Sequence, residues 1–281
     1  MLPAAASIRF PEQTILLTRE NWSVPIFQPL DIPHHWQPQP LAAGPFTGLQ
    51  GGAVASLLTA EIEAVAADRQ WGRAVSVTAH FLRPTPMAWL RTKQVIVTEG
   101  GRVSVVDNTL WAVGEAEPCA TARVTLVRER GVEVPGLTEP RDASVDPTCY
   151  PARAVRAAHG GPWFMDAMEA RAGDGVAWFR LDHDIIEGAG ALSRVLGPAD
   201  WSHGVARPLQ NVVADPNPNL TVQLFKRPVG PWIGVRARTW WQPAAGLGTG
   251  QATLLDIHGE IGCVSMAVVL VPFPKPAPAM A

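Results

Sequence analysis

Charge is scarce in this chain, and so is cysteine. Only 17% of its 281 residues are charged, and 23 basic against 25 acidic side chains leave a formal net charge of −2. Nucleic acid or an anionic membrane surface calls for a basic face, so neither is expected as a partner. The cysteines, Cys119, Cys149 and Cys263, are too widely spaced for a disulfide framework or a metal cluster. Long apolar runs are also missing: Val264 to Val271 is among the longest, far short of the roughly 18 to 20 residues a membrane helix needs. The start, Met-Leu-Pro-Ala-Ala-Ala, has no basic stretch followed by a long apolar core, so no secretory leader is expected and a reducing cytoplasm is the default location. No metal-ligand pattern or nucleotide-binding glycine motif is present, and no cofactor is expected.

What the chain does have is a repeat. Val75-Ser-Val-Thr-Ala-His-Phe-Leu-Arg-Pro84, then Trp89, an alternating run, Cys119 and Val124-Thr-Leu-Val127 form one copy. Asn219-Leu-Thr-Val-Gln-Leu-Phe-Lys-Arg-Pro228, then Trp232, another alternating run, Cys263 and Val268-Val-Leu-Val271 form the other. Arg83 and Arg227 stand 144 residues apart, as do Cys119 and Cys263. A period this long indicates a duplicated domain, not a solenoid. The expected division is residues 1–130, a linker over 131–156 marked by Pro135, Pro140, Pro147 and Pro151, and residues 157–281. Each half is long enough to bury its own core.

Before the first copy, Trp22, His34, His35 and Trp36 lie among prolines in what reads as a strand or two and a long loop. Gly51-Gly52 then opens a segment whose apolar residues Val54, Leu57, Leu58, Ile62 and Val65 recur at helical spacing, predicting a helix that ends before Gly72. From Val75 to Val127, β-branched runs separated by turn signals predict an antiparallel meander of about four strands. The second half predicts a strand over 175–181, helical pieces over 189–197 and 199–205, and strands again from Asn219. Cys119 and Cys263, at equivalent places in apolar strands, read as small core residues. Trp89 and Trp232, also repeat-equivalent, read as packing.

Glycines at the mouth of a helix, followed by a sheet long enough to wrap it, look like a hotdog fold. Two copies in one chain resemble the double-hotdog acyl-CoA thioesterases of the acyl-CoA thioesterase II type. The carriers are Leu49-Gln-Gly-Gly-Ala-Val-Ala-Ser-Leu-Leu58, Val77-Thr-Ala-His-Phe-Leu-Arg-Pro84, Gly100-Gly-Arg-Val-Ser104, Ala199-Asp-Trp-Ser-His-Gly204 and Leu220-Thr-Val-Gln-Leu-Phe-Lys-Arg-Pro228. The fold implied is α+β, two tandem units each wrapping a helix in an antiparallel sheet, with a further homodimer possible. The activity implied is hydrolysis of an acyl-CoA or acyl-carrier thioester.

Such hydrolysis needs an activated water and a stabilised oxyanion. A helix start with unpaired N–H groups serves the oxyanion, and glycine lets a ligand approach it closely. Gln50, Gly51 and Gly52 fit that role. The resemblance implies an acid, a hydroxyl and a glutamine from the second unit. Motif matching sets these at Asn219, at Trp240 with Thr239 adjacent, and at Ala267, none of which keeps the family residue. Trp240 is then expected to narrow the site. Another carboxylate is therefore needed, or the chain binds thioesters without cleaving them, or it is a different hotdog enzyme, a dehydratase or hydratase or a biosynthetic enzyme. Glu61, on the apolar stripe of the first helix while Glu63 points away from it, is one candidate base. Asp200 and His203, at the expected start of the second helix and facing Val75 and Arg123, would form a separate pseudo-symmetric site. Thr78, His80, Thr221 and Gln223 read as outer-face residues.

Overall fold

The computed structural model describes residues 24–45, 47–136, 144–154, 160–210 and 212–272. Trp22 and parts of the expected linker lie outside the described residues. The first half supplies β1 (Phe27–Pro29), β2 (His35–Pro38), α1 (Gly51–Asp68), β3 (Arg73–Phe81), β4 (Leu90–Glu99), β5 (Val103–Ala112) and β6 (Ala120–Val127). The second supplies β7 (Met168–Gly173), β8 (Val176–Leu181), α2 (Ala191–Asp200), α3 (Ser202–Val205), β9 (Asn219–Leu224), β10 (Trp232–Gln242), β11 (Leu247–Asp256) and β12 (Gly259–Val269).

All twelve strands join one antiparallel sheet in the order β1-β2-β4-β5-β6-β3-β9-β12-β11-β10-β8-β7. The α+β double hotdog is therefore the observed fold, with one refinement. Each half is not a simple four-strand meander, because β3 pairs with β6 and β9 with β12. Proline explains the detour: Pro84 and Pro86 lie in the segment between β3 and β4, lack the N–H a ladder requires, and carry the chain across to the far side.

The halves meet where β3 pairs with β9, placing Thr78 opposite Thr221 with their hydroxyls 3.4 Å apart. This pair lies at the centre of the pseudo-twofold relation between the units. Leu82 and Arg83 N–H share the carbonyl of Cys119, and Phe225 and Lys226 N–H share that of Ile261. The partner of Cys119 is thus Ile261 and not Cys263, so the constant 144-residue register does not survive folding. Two residues along a strand returns to the same face, but Cys119 stands just before β6 and Cys263 inside β12. Cys119 is buried as expected, whereas Cys263 is exposed and is no core residue. Trp232 is 5% exposed and Trp89 44%, so only the former packs inside. His80 and Gln223 lie exposed on the outer face, as read from the sequence.

The helix α1 is buried continuously from Gly52 to Ile62, on every side and not only along the predicted stripe, because α2 packs on it as well as the sheet. Leu57, Leu58 and Ile62 are fully enclosed, each worth about 1.5–3 kcal/mol of burial. Its partner α2 lies against it antiparallel: Asp200 at the end of α2 reaches Gly52 at the start of α1, and Glu63 reaches Leu192 at the start of α2. Helix α2 continues through Pro198 to Asp200, where the sequence reading broke it into two pieces.

Candidate active site

Neither long helix carries an acidic residue in its own first turn, and each receives a carboxylate from the other. At the start of α1, the Asp200 Oδ2 accepts the Gly52 N–H at 2.9 Å and a close hydrogen bond from the Gln50 amide. Its Oδ1 accepts the Asn217 amide at 2.7 Å. Gln50 is also the N-cap of α1, its Oε1 accepting the Ala53 N–H at 2.9 Å. Asp200 is 3% exposed. Burial pushes its carboxyl above the usual range, partly offset by the charge of His203 and by hydrogen bonds from Asn217, Gly52 and Gln50.

The glycines are explained by this contact. A Cβ on Gly52 would stand 2.8 Å from the Asp200 Cβ and 3.0 Å from the Gly197 Cα, and one on Gly51 would stand 2.9 Å from the Phe81 ring. Gly52 must be bare for the two helices to close together, and Gly51 for the Phe81 ring to lie over the helix start. Of the first amides of α1, Gly52 and Ala53 are occupied. The Gly51 N–H has no hydrogen-bond partner among the described residues.

Gly51 and Asp200 open on a cavity of about 510 Å³, also lined by Gln50, Val54, Phe81, Arg83, Trp201 and Asn217. That volume falls in the range of small-molecule sites, roughly 300–1,000 Å³. A free amide at the positive end of a helix suits an anionic oxygen, and a buried carboxylate with a raised pKa suits a proton acceptor. Asp200 retains acceptor capacity, since a carboxylate offers about four lone-pair positions and three donors are bound.

The residues named from the sequence distribute differently than expected. Gln50, Gly51, Gly52, Asp200 and His203 gather at one site, where the sequence divided them between two, because the antiparallel helices bring the end of α2 to the start of α1. Asp200 ends α2 and does not begin a helix. His203 pairs with Asp215 at 3.1 Å. Arg123, expected near it, is bound to Asp107 on an exposed surface. The Asn219 side chain accepts the Ala267 N–H at 2.9 Å in an exposed setting, and only its carbonyl approaches the site, taking the Asn217 amide at 3.1 Å. Trp240 is 49% exposed and does not line the cavity, so it narrows nothing. Thr239 reaches the His203 carbonyl at 3.4 Å, behind the cavity wall.

Glu61 is neither at the site nor solvated. Ten residues along α1 from Gly51, about 15 Å at 1.5 Å per residue, its carboxylate is buried among Trp36 at 3.1 Å, Thr92 at 2.8 Å, Asn108 at 2.9 Å and His34 at 3.2 Å. This arrangement holds β2, β4 and β5 to the helix. The sequence reading missed Asn217, whose signal was its place two residues before the strand that enters the interface between halves.

Two antiparallel units wrapped around paired helices, with a carboxylate from one unit on the helix start of the other, define a double-hotdog protein. The model of the acyl-CoA thioesterase N-terminal domain family matches residues 40–127. That segment holds Gln50, Gly51 and Gly52, while Asp200 lies outside it. No curated protein matches the chain in sequence. Among solved structures, a candidate thioesterase II from Thermobifida fusca aligns at TM-score 0.63 and 15% identity, covering 85% of this chain and 93% of that one. A tesB protein of Mycobacterium avium gives 0.61 and 17%, covering 88% and 96%. An acyl-CoA thioesterase II of Mycobacterium marinum gives 0.57 and 11%, covering 92% and 99%. At these identities the likeness is one of fold. Among the described residues no helix is long and apolar enough to cross a membrane, and no cluster of metal-ligating side chains is found.

Proposed function

We propose that the chain hydrolyses an acyl thioester, of the acyl-CoA class, in the cavity at the start of α1. The carrying observation is the convergence of the Asp200 carboxylate and the unpaired Gly51 N–H on one space of about 510 Å³. The thioester carbonyl oxygen accepts from Gly51, where the helix dipole favours the charge that develops as the carbon becomes tetrahedral. A water held by the remaining acceptor position of Asp200 gives its proton to that carboxylate as its oxygen attacks the carbonyl carbon. Gln50 and Asn217 keep the carboxylate turned toward the cavity. The intermediate collapses by breaking the C–S bond, leaving a carboxylic acid and a thiol.

The absence of a family acid at Asn219 had favoured a binding protein without hydrolysis. Asp200 offers a carboxylate from a different position, which favours hydrolysis over binding alone. The test is release of free thiol from a panel of acyl-CoA esters of increasing chain length. Release that depends on Asp200 supports the reading; tight binding without release from any ester refutes it.

A further inference from the structure

One wall of the cavity carries a polar assembly that the steps above leave unused. His203 lies on α3, its imidazole Nδ1 3.1 Å from Asp215 Oδ2. Arg207 binds the same carboxylate through Nη2 at 2.7 Å and Nε at 2.8 Å. Asp215 is 1% exposed, and the hydrogen bonds from His203 and Arg207 outweigh the effect of burial to hold its carboxyl below the usual range. The backbone of His203 is held as well: Thr239 of β10 donates to its carbonyl at 3.4 Å, and a Cβ on Gly250 of β11 would stand 3.0 Å from the His203 Cβ. The other ring nitrogen, Nε2, has no partner among the described residues, and His203, Arg207 and Asp215 line the same cavity as Asp200.

Asp200, Asp215 and Arg207 surround the ring on the cavity wall. With Nδ1 tied to Asp215, the Nε2 edge is the one left to exchange a proton with the cavity. Resting on the thioesterase reading, we propose that His203 is a second catalytic residue, the acid that protonates the departing thiolate. As the C–S bond breaks, its electron pair goes to sulfur and the Nε2 proton follows to form the thiol. The proton that Asp200 took from water then returns to the imidazole, directly or through water, and the site is restored. Asp215, held by Arg207, is the positioning residue that keeps the ring turned inward.

An acid that assists a leaving group matters in proportion to how poorly that group leaves. The experiment therefore compares two esters of one acyl group, a CoA ester, whose alkyl thiol leaves as a basic thiolate, and a nitrothiophenyl ester, whose thiolate departs without a proton. In His203→Asn, whose amide can still donate to Asp215, kcat for the CoA ester is expected to fall about a hundredfold, the scale of general acid catalysis. The aryl ester should fall less than about threefold on the same principle. Asp215→Asn, with folding checked by circular dichroism, should show the same selective loss in smaller degree. Equal losses on both esters, or none on either, overturn the proposal while leaving thioester hydrolysis intact. A wild-type chain that cleaves neither ester refutes the hydrolase reading itself, and this one with it.

Discussion

The two ends of the antiparallel helix pair carry the same device and put it to different use. At one end Asp200 of α2 sits on the first amides of α1; at the other Glu63 of α1 accepts the Leu192 N–H at 2.9 Å and the Ser193 N–H at 3.1 Å. Both carboxyls are pushed above the usual range by burial, against the lowering effect of the helix amides they bind. Each end also adjoins one copy of the Arg-Pro motif, with Arg83 and Pro84 near Asp200 and Arg227 and Pro228 near Glu63. The ends differ in space and in company. The Glu63 end leaves about 160 Å³, too little for the usual small-molecule site, while the Asp200 end leaves about 510 Å³ and adds Gln50, Asn217 and His203. A duplicated fold can thus retain a structural need, the capping of a buried helix start, at both ends and develop chemistry at one.

The sharpest test of this contrast is Asp200→Asn. Hydrolysis should fall by about 10²–10⁴-fold, the worth of a general base, measured as thiol release. Stability should hold or rise, read from the melting temperature at neutral pH. The sign follows from linkage: a carboxyl whose folded pKa is raised binds its proton more tightly in the native state, so native stability declines as pH climbs from the unfolded to the folded value. The amide removes that decline. A variant that loses activity only because it unfolds would deny Asp200 a catalytic role.

Next in size is Gly52→Ala. Its methyl would press on the Asp200 Cβ at 2.8 Å and on the backbone of Gly197, and either the helices part or the carboxylate turns away. A loss of about 1–3 kcal/mol is expected, typical of overpacking, together with a drop in kcat. Urea unfolding and steady-state kinetics on one preparation would read both. Full activity in this variant would mean that the carboxylate need not touch the helix start.

Glu63→Gln probes the other end. Thiol release should remain at the wild-type rate, while stability changes by no more than about 1 kcal/mol as loss of a charged cap opposes relief of a buried charge. Glu63 has a raised pKa, so the same linkage sign applies, and its replacement should flatten the decline in stability between acid and neutral pH. Denaturant midpoints across that window measure it, and a fall in hydrolysis would show that the two ends are coupled. The smallest effect belongs to Asn219→Ala. Its side chain accepts a single exposed N–H from Ala267, so activity should not change and stability should move by less than about 0.5 kcal/mol. An inactive variant would return the site to the position that motif matching assigned.

Much of the fold was legible because local patterns carry it. The helical stripe of Val54, Leu58, Ile62 and Val65 and the β-branched runs on either side state their periods directly, and the repeated Arg-Pro turns state the duplication. The register was less legible. Cys119 and Cys263 invite pairing by number, yet Ile261 holds the equivalent place, because a strand tolerates a small shift in the turn before it that a count of residues does not reveal.

The candidate site shows the same division. Gln50-Gly51-Gly52, Asp200 and His203 were all visible as residues suited to thioester chemistry, and Glu61 was visible as a carboxylate on the right helix. From sequence order alone, the start of one helix and the end of another look like two places. The amino-acid order determined that two similar units would form, that each would bury a helix, and that bare backbone would stand at residues 51 and 52. Only the tertiary structure decided that Asp200, 148 residues away, would fill that bareness and that Glu61 would be consumed by Trp36, Thr92 and Asn108. The reason is that which carboxylate meets which amide depends on the antiparallel packing of α1 on α2, a contact between distant segments that no local period encodes.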